Sequence, residues 1–294
     1  MTRQWLRIAK RFVKVVISSF FFVGTAVINW LRRVIGSHVP ATYVVLYYHA
    51  VPAQSREHFA RQMDALLRLA TPIRADSCEE LDPGKQYVAV TFDDGLLSVV
   101  ENAIPALVSR AIPATLFVVA GRLGRDQNWA VFGEGYDKSD RLGTIEELKS
   151  LPVDLITIGS HTMSHPVLPS LNSEAAAEEL SSSRQTLQKL LGRDVKLFSF
   201  PYGAFDKPLV SMCRSAGYSR VFTTLSLRAH SDANEFVTGR VSVDPTDWDF
   251  EFRLKISGAY SWVPRVSALK RRSLGRLAPS SLENAMGRQS PAPD

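Results

Sequence analysis

Between Thr42 and Trp262 the chain alternates between two hydrophobic periods, and this alternation restricts its fold more than any other feature. Short, nearly continuous apolar runs read as strands: YVVLYYH (43–49), YVAVTF (87–92), ATLFVVA (114–120), LITIGS (155–160), KLFSF (196–200), RVFTT (220–224) and RVSV (240–243). Runs that are apolar on both faces belong to a parallel sheet covered on both sides. Between them lie segments with helical spacing: REHFARQMDALLRLA (56–70), LLSVVENAIPALVSR (96–110), IEELKSL (145–151), SEAAAEELSSSRQTLQKLL (173–191) and KPLVSMCRSA (207–216). Gly192 and Gly217 stand where a helix C-terminus takes a left-handed residue, and Asp206 before Lys207-Pro208 reads as an N-cap. Seven strands alternating with helices predict an α/β domain, and seven are enough for a barrel.

The flanks differ from this domain. The chain has 294 residues, is 45% hydrophobic and carries a formal net charge of +6, with the excess at its ends. Arg3, Arg7, Lys10, Arg11 and Lys14 precede the uncharged run Val15 to Leu31, and the stretch after Trp262, PRVSALKRRSLGRLAPSS, is basic and rich in Ser. Lys and Arg are nowhere interleaved with aromatics along a folded face, which argues against a nucleic-acid partner. The uncharged run covers about 17 residues, roughly 26 Å of helix, close to the hydrocarbon thickness of a bilayer. The flanking charges orient it as a single-pass anchor in the cell (inner) membrane, with the N-terminus cytoplasmic and the domain on the outer, periplasmic side. Gly24-Thr25-Ala26 would also suit cleavage of a signal peptide and export, and an interfacial helix is the third possibility. The expected organisation is a basic segment with anchor or signal (1–36), a domain (42–262) and a disordered basic tail (263–294). Cys78 and Cys213 make neither a disulfide framework nor a C-x-x-C pair.

Chemistry collects at strand ends. YVAVTF runs into Asp93-Asp94-Gly95, adjacent carboxylates that are costly to place at the end of a buried strand, although the same residues also read as a turn and helix cap. LITIGS runs into HTMSH, which sets His161 and His165 four apart; on a helical turn both imidazoles would share one face. One Asp with two His and an open position is the donor set of a catalytic Zn²⁺.

At these residues the chain resembles the polysaccharide deacetylases (carbohydrate esterase family 4, the NodB homology domain). TFDDG (91–95), SHTMSH (160–165), FPYG (200–203) and AIPATLFVV (111–119) are similar to the family's motifs and follow in its order. The resemblance implies a distorted (β/α)7 barrel and hydrolysis of N-acetyl groups on an amino-sugar polysaccharide or glycolipid through a metal-bound water. It implies Asp93 as general base, and Asp94, His161 and His165 as ligands of a divalent metal, Zn²⁺ with Co²⁺ or Ni²⁺ as alternatives. Pro201, Tyr202 and Gly203 would wall the substrate groove, with the Tyr202 N–H at the oxyanion. An O-deacetylase on the same fold, and a catalytically silent sugar-binding or assembly protein of an exopolysaccharide system, are the alternatives.

Two departures from the family pattern need a repair. The late L-x-x-H that supplies the general acid is missing; Leu46-Tyr47-Tyr48-His49 is an L-x-x-H on the first strand, as in one subgroup of the family, and His49 is the candidate acid. Ser199 stands where an Arg usually orients the catalytic Asp, and Arg240 is the candidate replacement. Asp244-Pro245-Thr246-Asp247-Trp248 matches D-x-x-D-W, whose acid, Asp244 or Asp247, would orient His49. The plainer readings are a core histidine for His49 and a structural salt bridge for Arg240 and Asp244. Trp129 would stack on a sugar or anchor its loop.

Overall fold

The computed structural model describes residues 3–127, 129, 140–227, 229–230, 232 and 234–264, so the expected tail lies outside the described residues from 265 onward. The strands are β1 (Thr42–Tyr48), β2 (Thr71–Pro72), β3 (Gln86–Phe92), β4 (Ala114–Val118), β5 (Ile156–Ser160), β6 (Leu197–Ser199), β7 (Arg220–Phe222), β8 (Val237–Thr238) and β9 (Val241–Ser242). They form one curled parallel sheet in the order β8-β7-β6-β5-β4-β3-β1-β9, with β2 on the side of β3. All seven expected strands are present within one or two residues.

The last strand is split. Val237–Thr238 pairs with β7, and Val241–Ser242, two residues later, pairs with β1. Both edges of the curled sheet are therefore carried by consecutive residues, and only Gly239-Arg240 intervenes. This brings the first strand beside the last, as a barrel requires.

The helices are α1 (Arg3–Val34), α2 (Arg56–Leu69), α3 (Ile104–Val108), α4 (Ile145–Lys149), α5 (Ser173–Leu191), α6 (Lys207–Ser215) and α7 (Asp249–Ile256). The expected helix 96–110 is a π-helical turn, Val99–Ala103, followed by α3. Pro105 explains the change, since it has no N–H to donate and its ring crowds the carbonyl four residues back. Asp206 caps α6 by accepting from Leu209 N (2.9 Å), and Gly192 closes α5 at φ 68°. Helix α7 has no counterpart among the expected elements. Within α1, Ile8–Val34 is long and apolar enough to cross a membrane by length and composition.

Candidate active site

The two-residue period of the strands decides which side chains enter the barrel. On β1, Val44, Leu46 and Tyr48 pack outward with Phe59 and Met63 of α2, while Tyr43 and Val45 join an inner cluster with Ala89, Phe117, Leu197 and Phe222. Continuing the inward set past the strand ends reaches His49 after β1, Asp93 after β3 and His161 after β5; Ser199 closes β6. Alternation alone thus gathers four polar side chains above a dry, aromatic floor.

Asp93 and Arg240 are locked together. Arg240 is 0% and Asp93 2% exposed. Nη1 donates to Asp93 Oδ1 and Nη2 to Oδ2, both at 2.8 Å, a bidentate fork. Nη1 also donates to Thr91 Oγ1 (3.0 Å), Nη2 to Ser199 Oγ (2.7 Å) and Nε to the Thr223 carbonyl (3.2 Å), which uses all five guanidinium N–H groups. The guanidinium carbon lies 4.7 Å from the Tyr47 ring centre. Burial alone would raise the Asp93 carboxyl; the Arg240 charge outweighs it and holds the group well below the usual carboxylate range. Asp93 is ionised at neutral pH.

Asp94 turns the other way, at φ 70°, and Gly95 follows at φ 78°. Its Oδ1 lies 3.2 Å from His165 Nε2 and 3.5 Å from His161 Nε2. All three side chains are buried, and their ligand atoms lie within 4.8 Å of one another. His161 Nδ1 donates to the Ser199 carbonyl (2.8 Å), so its Nε2 presents a lone pair toward the carboxylate. Burial pushes the His161 pKa down to about 4, leaving the imidazole neutral. Asp94 Oδ1 is buried without a hydrogen-bond partner. A buried carboxylate oxygen facing two imidazole nitrogens fits a cation between them, and this triad could bind a metal.

The two histidines do not meet on a helical turn. HTMSH is a loop in which Thr162 (φ 71°) and His165 (φ 62°) are left-handed. The loop is fastened by a residue that sequence reasoning did not single out: Glu179 of α5 accepts from Met163 N (2.8 Å), Ser164 N (3.0 Å) and Ser164 Oγ (2.5 Å). Its position in a run of surface acids gives no local signal of this role. Trp129 stacks on His165, ring centres 4.4 Å apart, and Tyr202 meets the same imidazole edge-on at 4.7 Å. Tyr202, at φ 58°, and Gly203 form a tight turn after β6, beside the metal-type triad.

His49 is half-buried and meets Tyr47 edge-on at 5.6 Å. It lies close enough to interact electrostatically with both Asp93 and Asp94. The two acids of DPTDW have different surroundings. Asp244 Oδ1 accepts from Thr246 N (2.8 Å) and Thr246 Oγ1 (2.6 Å). Asp247 is engaged through Oδ2 by Lys255 Nζ (2.6 Å) and Asp244 N (2.9 Å), and through Oδ1 by Arg11 Nη2 (3.4 Å).

Residues 80–221 match the family model described as polysaccharide deacetylase. The Bacillus subtilis protein YxkH is 24% identical over 217 residues, covering 70% of this chain and 73% of that protein. The poly-beta-1,6-N-acetyl-D-glucosamine N-deacetylase of Staphylococcus aureus is 25% identical over 179 residues, and the match spans 58% of each chain. Among solved structures, IcaB from Ammonifex degensii is 29% identical with a TM-score of 0.61, over 74% of this chain and all of that one. Family match, relatives and fold agree with the buried site: residues 80–221 carry the likeness to the polysaccharide deacetylase family, on a curled α/β half-barrel of the NodB type.

Proposed function

We propose that the protein hydrolyses N-acetyl groups of an amino-sugar polysaccharide or glycolipid outside the cytoplasm. The observation that carries this reading is the division of labour between adjacent carboxylates: Asp93 is held ionised by Arg240, while Asp94 faces the Nε2 atoms of His161 and His165. A divalent ion held by Asp94, His161 and His165, Zn²⁺ by donor type, would polarise the acetyl carbonyl and ease ionisation of water. Asp93 accepts the proton of the attacking water, and the fork from Arg240 fixes both its charge and its direction. Pro201, Tyr202 and Gly203 wall the groove, and the Tyr202 main-chain N–H donates to the developing oxyanion. His49, across from Asp93, protonates the departing sugar amine, so that one amide and one water give one amine and one acetate. Asp247 is committed to Lys255 and Arg11, which favours Asp244 as the acid that orients His49.

The test is acetate release from N-acetylglucosamine oligomers by the full chain in detergent, loaded with Zn²⁺. Asp93→Asn should lower kcat by about 10²–10⁴-fold while metal still binds. Metal binding without acetate release by the wild type would instead favour a silent sugar-binding protein. If His49→Ala were as fast as wild type, only the acid assignment would fall.

A further inference from the structure

One stripe of α1 is already occupied by the domain. Arg11 Nε donates to Glu251 Oε2 (2.6 Å), its Nη2 to the Thr246 carbonyl (3.2 Å), and its guanidinium carbon lies 4.5 Å from the Trp248 ring centre. One turn on, Val15 is buried; then Ser18 is fully buried and accepts from Trp262 Nε1 (2.9 Å), and Phe21 packs on the main core. Thr25, Asn29 and Arg32 continue this line at helical spacing, and all are half-buried. The stripe turned to the domain therefore holds most of the polar residues of the apolar segment.

The opposite face is covered by none of the described residues. Phe12, Val16, Phe20, Val23, Val27 and Leu31 are exposed along a helix of roughly 48 Å. An apolar strip of that length far exceeds what a water-facing surface ordinarily shows. Its borders identify the occupant: Trp5 and Trp30 are exposed near the two ends, and Lys10, Lys14 and Arg33 are exposed along it. Aromatic ends with basic flanks match the headgroup–acyl boundary of an anionic bilayer.

A helix that crosses the membrane with its basic end in the cytoplasm would put Arg11 and the domain on opposite sides. The Arg11–Glu251 pair requires them on the same side. We propose that α1 is an interfacial helix: it lies along the domain by its polar stripe, buries its apolar face in the outer leaflet of an anionic membrane, and keeps the N-terminus on the side of the catalytic site. This goes beyond the catalytic reading and does not depend on it.

Two measurements on the full chain test the proposal. The first is flotation with vesicles of phosphatidylcholine and phosphatidylglycerol (about 3:1) against pure phosphatidylcholine. Wild type should float with the anionic vesicles, and Phe20→Glu with Val27→Glu should reduce the bound fraction by about tenfold or more. The second is labelling by a membrane-impermeant maleimide in spheroplasts of an expressing host, comparing Thr2→Cys in a Cys78→Ser background with the exposed Cys78 of the wild type. Both thiols should label from outside. Labelling of Cys78 with protection of Thr2→Cys would mean a spanning helix and overturn the proposal. So would a mature protein lacking the first turns of α1, or a non-floating chain whose apolar face is covered by a second copy in a concentration-dependent dimer.

Discussion

Arg240 is the residue on which the site most depends. It lies in the barrel interior with its five donors used, and the carboxylate it holds has no other cation at hydrogen-bond distance among the described residues. Removing one member of such a pair strands the other charge, at a cost of about 3–5 kcal/mol. Ser199 Oγ lies 2.7 Å from the guanidinium, so the inner face of β6 offers a second place from which an arginine can reach Asp93. Arg240→Ala should therefore lose about 3–5 kcal/mol in chemical denaturation and most of its acetate release. The double variant Arg240→Ala with Ser199→Arg should recover at least about tenfold in rate over the single. A double variant no better than the single would mean that Arg240 serves only the fold. The missing arginine at position 199 was legible in the sequence against the family pattern, and Arg240 could be read as its substitute because it opens a strand. Glu179 could not: a glutamate on a long solvated helix looks like its neighbours until the chain folds and HTMSH lies beneath it.

At the scale of elements, strands were legible and their joints were not. Apolar runs and their parity suffice to place His49, Asp93 and His161, because side chains alternate whatever the tertiary context. The HTMSH loop depends on left-handed Thr162 and His165, conformations of order 1–3 kcal/mol each that no local residue preference announces. Helix α7 escaped notice because it buries residues on several sides, Glu251, Phe252, Leu254, Lys255 and Ile256, and so shows no single apolar stripe. The split of the last strand has one visible mark, Gly239. A Cβ there would stand 2.5 Å from the Leu225 carbonyl oxygen and 3.1 Å from Leu227 N, backbone atoms that cannot swing aside. Gly239→Ala should thus pry the strand from its neighbour loop, costing about 1–3 kcal/mol of stability, and shift Arg240 enough to lower kcat more than it raises KM. An alanine variant with wild-type melting temperature and rate would show that the close approach relaxes at no cost.

Across the whole molecule, one basic residue of the N-terminal end, Arg11, proves not to be free surface charge. Arg11 reaches across 240 positions of sequence to Glu251, and Asp247, Glu251 and Lys255 beneath it are all buried. Lys255 contacts both acids, at 2.6 and 3.3 Å, so two carboxylates share one ammonium unless Arg11 supplies the second cation. Burial accordingly raises the Asp247 carboxyl despite Lys255. From sequence the segment reads as an appendage, because hydropathy and flanking charge report on lipid and carry no information about a partner far along the same chain. A double-mutant cycle of Arg11→Ala and Glu251→Gln, followed by thermal and denaturant unfolding of the full chain in detergent, measures the link. A coupling of about 1–3 kcal/mol is expected for a buried carboxylate with a half-buried guanidinium, well above the fraction of a kcal/mol typical of exposed pairs. A coupling indistinguishable from zero would mean that α1 and the domain fold as independent units. A substantial coupling makes the helix part of the wall behind DPTDW, since Asp247 holds the Asp244 N–H at 2.9 Å, and movement of α1 would then be felt at the acid proposed to orient His49.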